Sequence, residues 1–318
     1  MSLLVVSCSK SQLASDFANA LSVPLVYASV GIFADTEVYV DIKESDLIAG
    51  SDILFVHQFF LNKTFNKAES SPSINDQLIS FLVACDLLKN IGAKKITAIL
   101  PYLAYSRQDE SFDGKLIGSI KLWGRFFKES GIDKVFACDL HSEKLFNLFD
   151  INLEEISLAD FWAYYIKSNF GDELNKNMLC IAAPDKGGFN RANTIAKILN
   201  VPIVYVDKKR ISPDNPVALG LHGDVNSKTV VVVDDIIDTG KTAIQAGVML
   251  KMHGAAKIIG VFTHAVFAQG AINRLSKSDF DKIYVSNSLL NSFDAPQKNI
   301  SICSINKYLI QKISEKLI

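Results

Sequence analysis

Residues 230–242, Val-Val-Val-Val-Asp-Asp-Ile-Ile-Asp-Thr-Gly-Lys-Thr, constrain the fold more than any other stretch of this chain. Four consecutive β-branched residues, with no polar alternation, describe a strand buried on both faces. Such a strand needs helices covering it, so the chain around it has to be α/β. Two adjacent carboxylates, Asp234 and Asp235, follow where the strand is expected to end. A short turn, Asp238-Thr239-Gly240-Lys241-Thr242, then opens an amphipathic helix over 242–253. Strand, turn and helix in that order aim backbone N–H groups and a helix N-terminus at one point, which suits a phosphate. The acidic pair beside it suits sugar hydroxyls or a magnesium ion. The segment reads as a site for a phosphorylated sugar. Its Gly-Lys-Thr tail is not a Walker A loop, because Asp235 stands where that motif needs its first Gly.

The remainder of the chain repeats the same alternation. Apolar runs at 3–7, 38–40, 53–56, 96–100, 135–137, 178–182, 203–206, 229–233, 258–263 and 282–285 read as strands. Helical periodicity fills 73–91, 117–130, 159–170, 189–199 and 242–253. The pattern is doubled, which predicts one domain over 1–149 and another over 150–303. The amphipathic segment 304–318 is expected to pack back on the first as a helix. At 318 residues each half is long enough to bury its own core. Segments 62–73 and 208–223 read as loops, and the second is long enough to suggest a functional lid.

Charge excludes some partners. With 33 basic against 34 acidic residues there is no global excess to hold nucleic acid or an anionic membrane. No apolar run reaches the length of a membrane span. The first residues carry no basic leader, so a cytoplasmic protein is expected. The five cysteines are scattered, without a CxxC pair, and read as buried thiols. Trp123, Phe126, Phe127, Trp162 and Tyr165 fall on helical stripes and read as core. His57, His222, His253 and His264 lack ligand-type spacing.

In doubly wound sheets, ligands bind beyond the C-terminal ends of the strands. There the sequence places Arg107-Gln108-Asp109, then Asp139 and His141, then Asp185 with Gly187-Gly188, then Lys208-Lys209-Arg210. Singly, each has an ordinary explanation. Arg107 and Asp109 fit a surface ion pair, a lone His141 fits a core or helix-start position, and 208–210 fits a solvated loop.

Taken in order, these segments resemble the ribose-phosphate pyrophosphokinase (phosphoribosyl pyrophosphate synthetase) family. Residues 101–109, Pro-Tyr-Leu-Ala-Tyr-Ser-Arg-Gln-Asp, are similar to its Tyr-x-x-Tyr-x-Arg-Gln-Asp signature. Asp139-Leu140-His141 matches its Asp-Leu-His element, and Pro184-Asp185-Lys186-Gly187-Gly188 resembles its Pro-Asp-x-Gly-Gly turn. Asp207-Lys208-Lys209-Arg210 is similar to its catalytic flexible loop. Residues 234–242 resemble the phosphoribosyl loop that it shares with phosphoribosyltransferases.

The resemblance implies an α/β chain of two phosphoribosyltransferase-like domains, each a mostly parallel sheet flanked by helices. The first is expected to serve ATP and the second ribose 5-phosphate. The implied activity is ribose-phosphate diphosphokinase, which transfers the pyrophosphoryl group of MgATP to the 1-hydroxyl of ribose 5-phosphate. A nucleobase phosphoribosyltransferase and a catalytically silent regulatory homologue are the alternatives. By the same resemblance, Lys208 and Arg210 are catalytic, and Arg107, Gln108 and Asp109 contact ATP. Asp35 and Glu37, in a Phe-Ala-Asp-Thr-Glu loop at 33–37, reach the nucleotide of a neighbouring subunit. That implies a homo-oligomer built from dimers, with a hexamer as one form. Asp234, Asp235, Asp238, Thr239, Gly240, Lys241 and Thr242 hold ribose 5-phosphate, and Asp139, His141 and Asp185 help bind magnesium.

The chain also departs from the family pattern. Thr36 replaces a Gly whose freedom at φ > 0 a Cβ restricts, so the loop path is expected to differ. Lys186 stands where a His is common, and Lys241 where a Gly is usual. Residues 110–115 replace an Arg-rich stretch, which leaves fewer cations for ATP.

Overall fold

The computed structural model describes residues 2–61, 72–109, 118–212, 215–268, 270–291 and 299–317, without the side chains of 61, 208–212, 215–219 and 291. The expected loop at 62–73 therefore falls almost wholly, and the stretch 110–115 entirely, outside the described residues. The chain forms two compact units. The first comprises Met1–Ile156, Ser288–Ser292 and Asn306–Ile318; the second comprises Ser157–Asn287 and Phe293–Ile305.

The first unit is built on a six-stranded sheet. Its spatial order is Leu25–Tyr27, Leu3–Ser7, Asp52–Val56, Lys95–Ile99, Lys134–Cys138, Asn152–Ile156. Every neighbouring pair is parallel. The three central strands are buried from their second residue onward, as the continuous apolar runs require. Helix Ile74–Ile91 starts at a reciprocal cap between Ser73 and Asp76 and stops at Gly92, which takes φ 107. That left-handed stop is open to Gly without strain. Its Phe81 packs edge-on against Phe55 of the sheet, with ring centroids 5.0 Å apart.

The strand Asn152–Ile156 pairs with Lys134–Cys138, so the chain leaves the first unit after Ile156, beyond the 149/150 boundary read from the sequence. Leu290 pairs with Phe60, which brings Ser288–Ser292 back as well. Helix Asn306–Leu317 belongs to this unit, its Asn306 amide donating to Asp16 Oδ2 at 2.7 Å. A separate antiparallel ribbon, Ser29–Ile32 with Val38–Asp41, carries the 33–37 turn.

The second unit holds a seven-stranded sheet. Its order is Asn215–His222, Ile203–Ser212, Leu179–Ala183, Thr229–Ile237, Lys257–Ala265, Lys282–Ser286, Ile300–Cys303. All pairs are parallel except the first. Val230, Val232, Phe262, Phe280 and Ile283 centre its core. Here two expectations are corrected. The segment 208–223 is no loop: Ile203–Ser212 continues past Val206 and turns back as Asn215–His222. It was unreadable as strand because it is an edge hairpin, where Lys, Pro216 and Gly220 are tolerated. The strand starting at Thr229 runs on to Ile237, so Asp234 and Asp235 lie inside it, not after it.

The core expectations hold for Trp162, whose Nε1 donates to Thr263 Oγ1 at 3.2 Å, and for Phe127. Phe126 is instead 42% exposed, edge-on to half-buried Trp123. It follows Arg125 on the outer side of helix Ile120–Glu129, and only Ile120, Gly124 and Phe127 of that helix are buried. Among the described residues no helix is long and apolar enough to cross a membrane.

Candidate functional site

In the second unit, three carboxylates and an arginine gather past the middle of the sheet. Asp185 follows strand Leu179–Ala183, and its Oδ1 accepts the N–H groups of Gly187 (3.0 Å) and Gly188 (3.2 Å). That local turn sets the start of helix Phe189–Leu199. In the first turn of that helix, Arg191 reaches back to the adjacent strand. Its Nη1 lies 3.3 Å from Asp235 Oδ1 and 3.8 Å from Asp234 Oδ1. Gly188 allows this approach, because a Cβ there would sit 3.2 Å from Asp234 Oδ1.

The electrostatics follow from crowding. Burial pushes the Asp234 carboxyl well above the usual carboxylate range, Asp235 adds to the shift through its charge and a hydrogen bond, and Asp185 adds a smaller push. Arg191 opposes all three. Sugar hydroxyls or a divalent cation would relieve that repulsion, so the site is chemically matched to either.

The turn after the acidic pair is the phosphate candidate. Gly240 takes φ 74 and opens helix Lys241–Met252. The first N–H groups of a helix have no partner inside it and face outward at its positive end. Lys241 is exposed, whereas Asp238, Thr239 and Thr242 are half-buried. Two residues absent from the sequence reading brace this turn. Arg274 donates from Nε (3.3 Å) and Nη2 (2.8 Å) to the Thr239 carbonyl. Leu275 would lie 3.1–3.3 Å from any Cβ on Gly240. Both come from helix Ala271–Leu275, about thirty-five residues downstream, a separation that no local pattern reports. Arg191 follows the Pro-Asp-x-Gly-Gly turn by three residues, but nothing local in the sequence shows which groups it pairs with.

Lys208 and Arg210 lie on the strand Ile203–Ser212, and their side chains are outside the described residues. At the hairpin base, Asp207 accepts Lys186 Nζ at 3.2 Å, and Tyr205 stacks on His222 at 4.4 Å.

In the first unit, the Arg-Gln-Asp and Asp-x-His segments leave adjacent strand ends. The Cys138 N–H donates to the Pro101 carbonyl at 3.0 Å, tying the two exits together. Arg107 and Gln108 are exposed and Asp109 is half-buried. The Gln108 side-chain oxygen accepts the Ser119 hydroxyl, and the Asp109 backbone carbonyl accepts the Gly118 N–H. Asp139 is buried at φ 32, and His141 is exposed. Glu155 accepts the intervening Leu140 N–H at 2.7 Å, which fixes the Asp139-Leu140-His141 path. Asp35 and Glu37 sit at the tip of the two-stranded ribbon. Thr36 takes φ 74, so this β-branched residue adopts the left-handed backbone. The Asp35 carboxylate accepting the Glu37 N–H at 3.1 Å and the Phe33–Tyr39 ring contact at 4.7 Å close the turn around it.

Among the described residues no group of three or more His, Cys, Asp or Glu forms a ready metal cage.

Two family models match the chain. The N-terminal domain of ribose phosphate pyrophosphokinase matches residues 2–131, and the phosphoribosyl transferase domain matches 150–298. The ribose-phosphate pyrophosphokinase of Bradyrhizobium diazoefficiens is 34% identical over 287 residues, covering 90% of this chain and 85% of the relative. The chain belongs to the ribose-phosphate pyrophosphokinase family. The enzyme of that name from Gloeobacter violaceus is 37% identical over 84% of this chain and 74% of its own length. The crystal structure of phosphoribosylpyrophosphate synthetase from Mycobacterium smegmatis superposes with a TM-score of 0.86 at 28% identity, covering 100% of this chain and 99% of that one. Membership in the ribose-phosphate pyrophosphokinase family accounts for both units: a phosphoribosyltransferase-like fold appears twice, each time as a mostly parallel sheet with helices.

Proposed function

We propose that the chain transfers the pyrophosphoryl group of MgATP to the 1-hydroxyl of ribose 5-phosphate, yielding phosphoribosyl pyrophosphate and AMP. The observation that carries this reading is the second-unit constellation. A helix start at Gly240 suited to an anion adjoins a crowded carboxylate pair contacted by Arg191, in a chain of this family. Gly240, Lys241 and Thr242 hold the 5-phosphate through backbone N–H groups. Asp238 and Thr239 shape the turn, and Asp234 and Asp235 take the ribose hydroxyls.

The sugar oxygen forms a bond to the β-phosphorus, and the bond from that phosphorus to the α–β bridging oxygen breaks. AMP leaves with the bridging oxygen, and the hydroxyl proton passes to water. Charge spreads over phosphate oxygens, so catalysis is positioning plus cationic stabilisation. Lys208 and Arg210 supply the cations, while Arg107, Gln108 and Asp109 place ATP. Magnesium would neutralise phosphate charge, and Asp139, His141 and Asp185 are the residues that would help hold it. Asp35 and Glu37 belong to the nucleotide site of a second copy, which makes a dimer-based oligomer the working form, in the cytoplasm.

Incubating the pure protein with ATP, ribose 5-phosphate and magnesium tests this. AMP that requires both substrates supports the synthetase. Base-dependent release of pyrophosphate from phosphoribosyl pyrophosphate would instead mark a phosphoribosyltransferase, and neither activity would mark a silent homologue.

A further inference from the structure

We infer that Arg274 is a positioning residue for ribose 5-phosphate: by holding the Thr239 carbonyl, it aims the Gly240 N–H at the 5-phosphate. The inference rests on the proposed site at 238–242. In a trans peptide the carbonyl and the next residue's N–H point in opposite directions. Whatever fixes the Thr239 oxygen therefore fixes the Gly240 hydrogen on the far side of the same plane. Arg274 holds that oxygen with two donors, Nε at 3.3 Å and Nη2 at 2.8 Å. A planar guanidinium gripping one acceptor twice defines direction as well as distance.

The alternative orientation is costly for this ligand. Were the Thr239–Gly240 peptide rotated, the carbonyl dipole would face the phosphate with its negative end. Gly makes such rotation easy, since it populates both signs of φ. At Gly240 the observed φ is 74, so the peptide needs an external hold, and Arg274 supplies it. Leu275, from the same short helix, lies where a Cβ on Gly240 would crowd it, so this position takes Gly. Arg274 touches a backbone carbonyl and no reacting atom, so its effect must appear in sugar-phosphate binding, not in the chemistry at the β-phosphorus.

Steady-state kinetics on Arg274→Met and Arg274→Lys test this, with binding of ribose 5-phosphate and of inorganic phosphate followed calorimetrically on the full chain. Loss of a charge-assisted hydrogen-bond pair predicts a rise of about ten- to a hundredfold in KM for ribose 5-phosphate with Arg274→Met. Arg274→Lys, which keeps the charge but not the fork, falls in between. KM for MgATP and kcat stay within about twofold of the parent, as a uniform binding loss requires. Equal loss for both substrates, a fall in kcat alone, or an unchanged KM would overturn the inference. If Arg274→Met does not fold, Arg274→Lys decides on the same criteria. A parent protein that forms no AMP from these substrates brings down the proposed function and this inference together. A parent that forms AMP, with variants unaltered, brings down only the inference.

Discussion

His57 gives the sharpest physical test of the first unit. It follows strand Asp52–Val56, is 2% exposed, and packs on the rings of Phe59 (4.7 Å) and Phe81 (5.5 Å). Neither ring nitrogen has a hydrogen-bond partner among the described residues. Burial lowers its pKa from 6.5 to about 4. The folded protein therefore holds this imidazole neutral, while the unfolded chain takes up a proton below pH 6.5. As pH falls from 6.5 to 4, the unfolded state binds more protons, and stability is lost across that window. Below pH 4 both states are protonated and the loss stops growing. A difference of about 2.5 units at 1.36 kcal/mol each is about 3 kcal/mol. In His57→Leu this loss disappears, and at pH 7.5 the variant equals or exceeds the parent by about 1 kcal/mol, since two unsatisfied nitrogens leave the core. Urea unfolding of both proteins at half-unit steps from pH 7.5 to 4 measures it. The stability gap should widen on acidification by about 3 kcal/mol. A gap independent of pH would refute the reasoning.

Thr36→Gly should stabilise the protein by about 1 kcal/mol, because a β-branched residue at φ 74 is strained and Gly is not; urea unfolding reads the sign. Gly240→Ala meets the opposite situation, a positive φ plus Leu275 at 3.1–3.3 Å. It should cost about 1–2 kcal/mol of stability and raise KM for ribose 5-phosphate, seen by thermal unfolding and steady-state kinetics. Lys208→Ala should lower kcat by about a hundredfold or more with modest changes in KM; a near-normal turnover would show that the catalytic cation lies elsewhere.

What could be read in advance tracks burial. The run Val230–Val233 declares itself because a strand covered on both faces has no polar positions to blur it. Edges hide their identity. Asn152–Ile156 carries Glu154 and Glu155, which break up the apolar run that marks a buried strand, yet Glu154 pairs with Lys134 at 2.6 Å and Glu155 caps the Leu140 N–H. The hairpin Ile203–Ser212 with Asn215–His222 was hidden by its lysines for the same reason. For the site, residues that act through their own backbone turn were legible, Asp185 and Gly240 above all. Arg274 was not, because its partner is a carbonyl in another element, and a backbone acceptor leaves no trace in residue type.

The most direct measurement follows the phosphorus atoms themselves. With ATP, ribose 5-phosphate and magnesium, ³¹P NMR should show the β- and γ-phosphorus of ATP moving together onto the sugar while the α-phosphorus becomes AMP. Appearance of ADP with a singly phosphorylated new position on the sugar, or an unchanged ATP spectrum, would contradict pyrophosphoryl transfer.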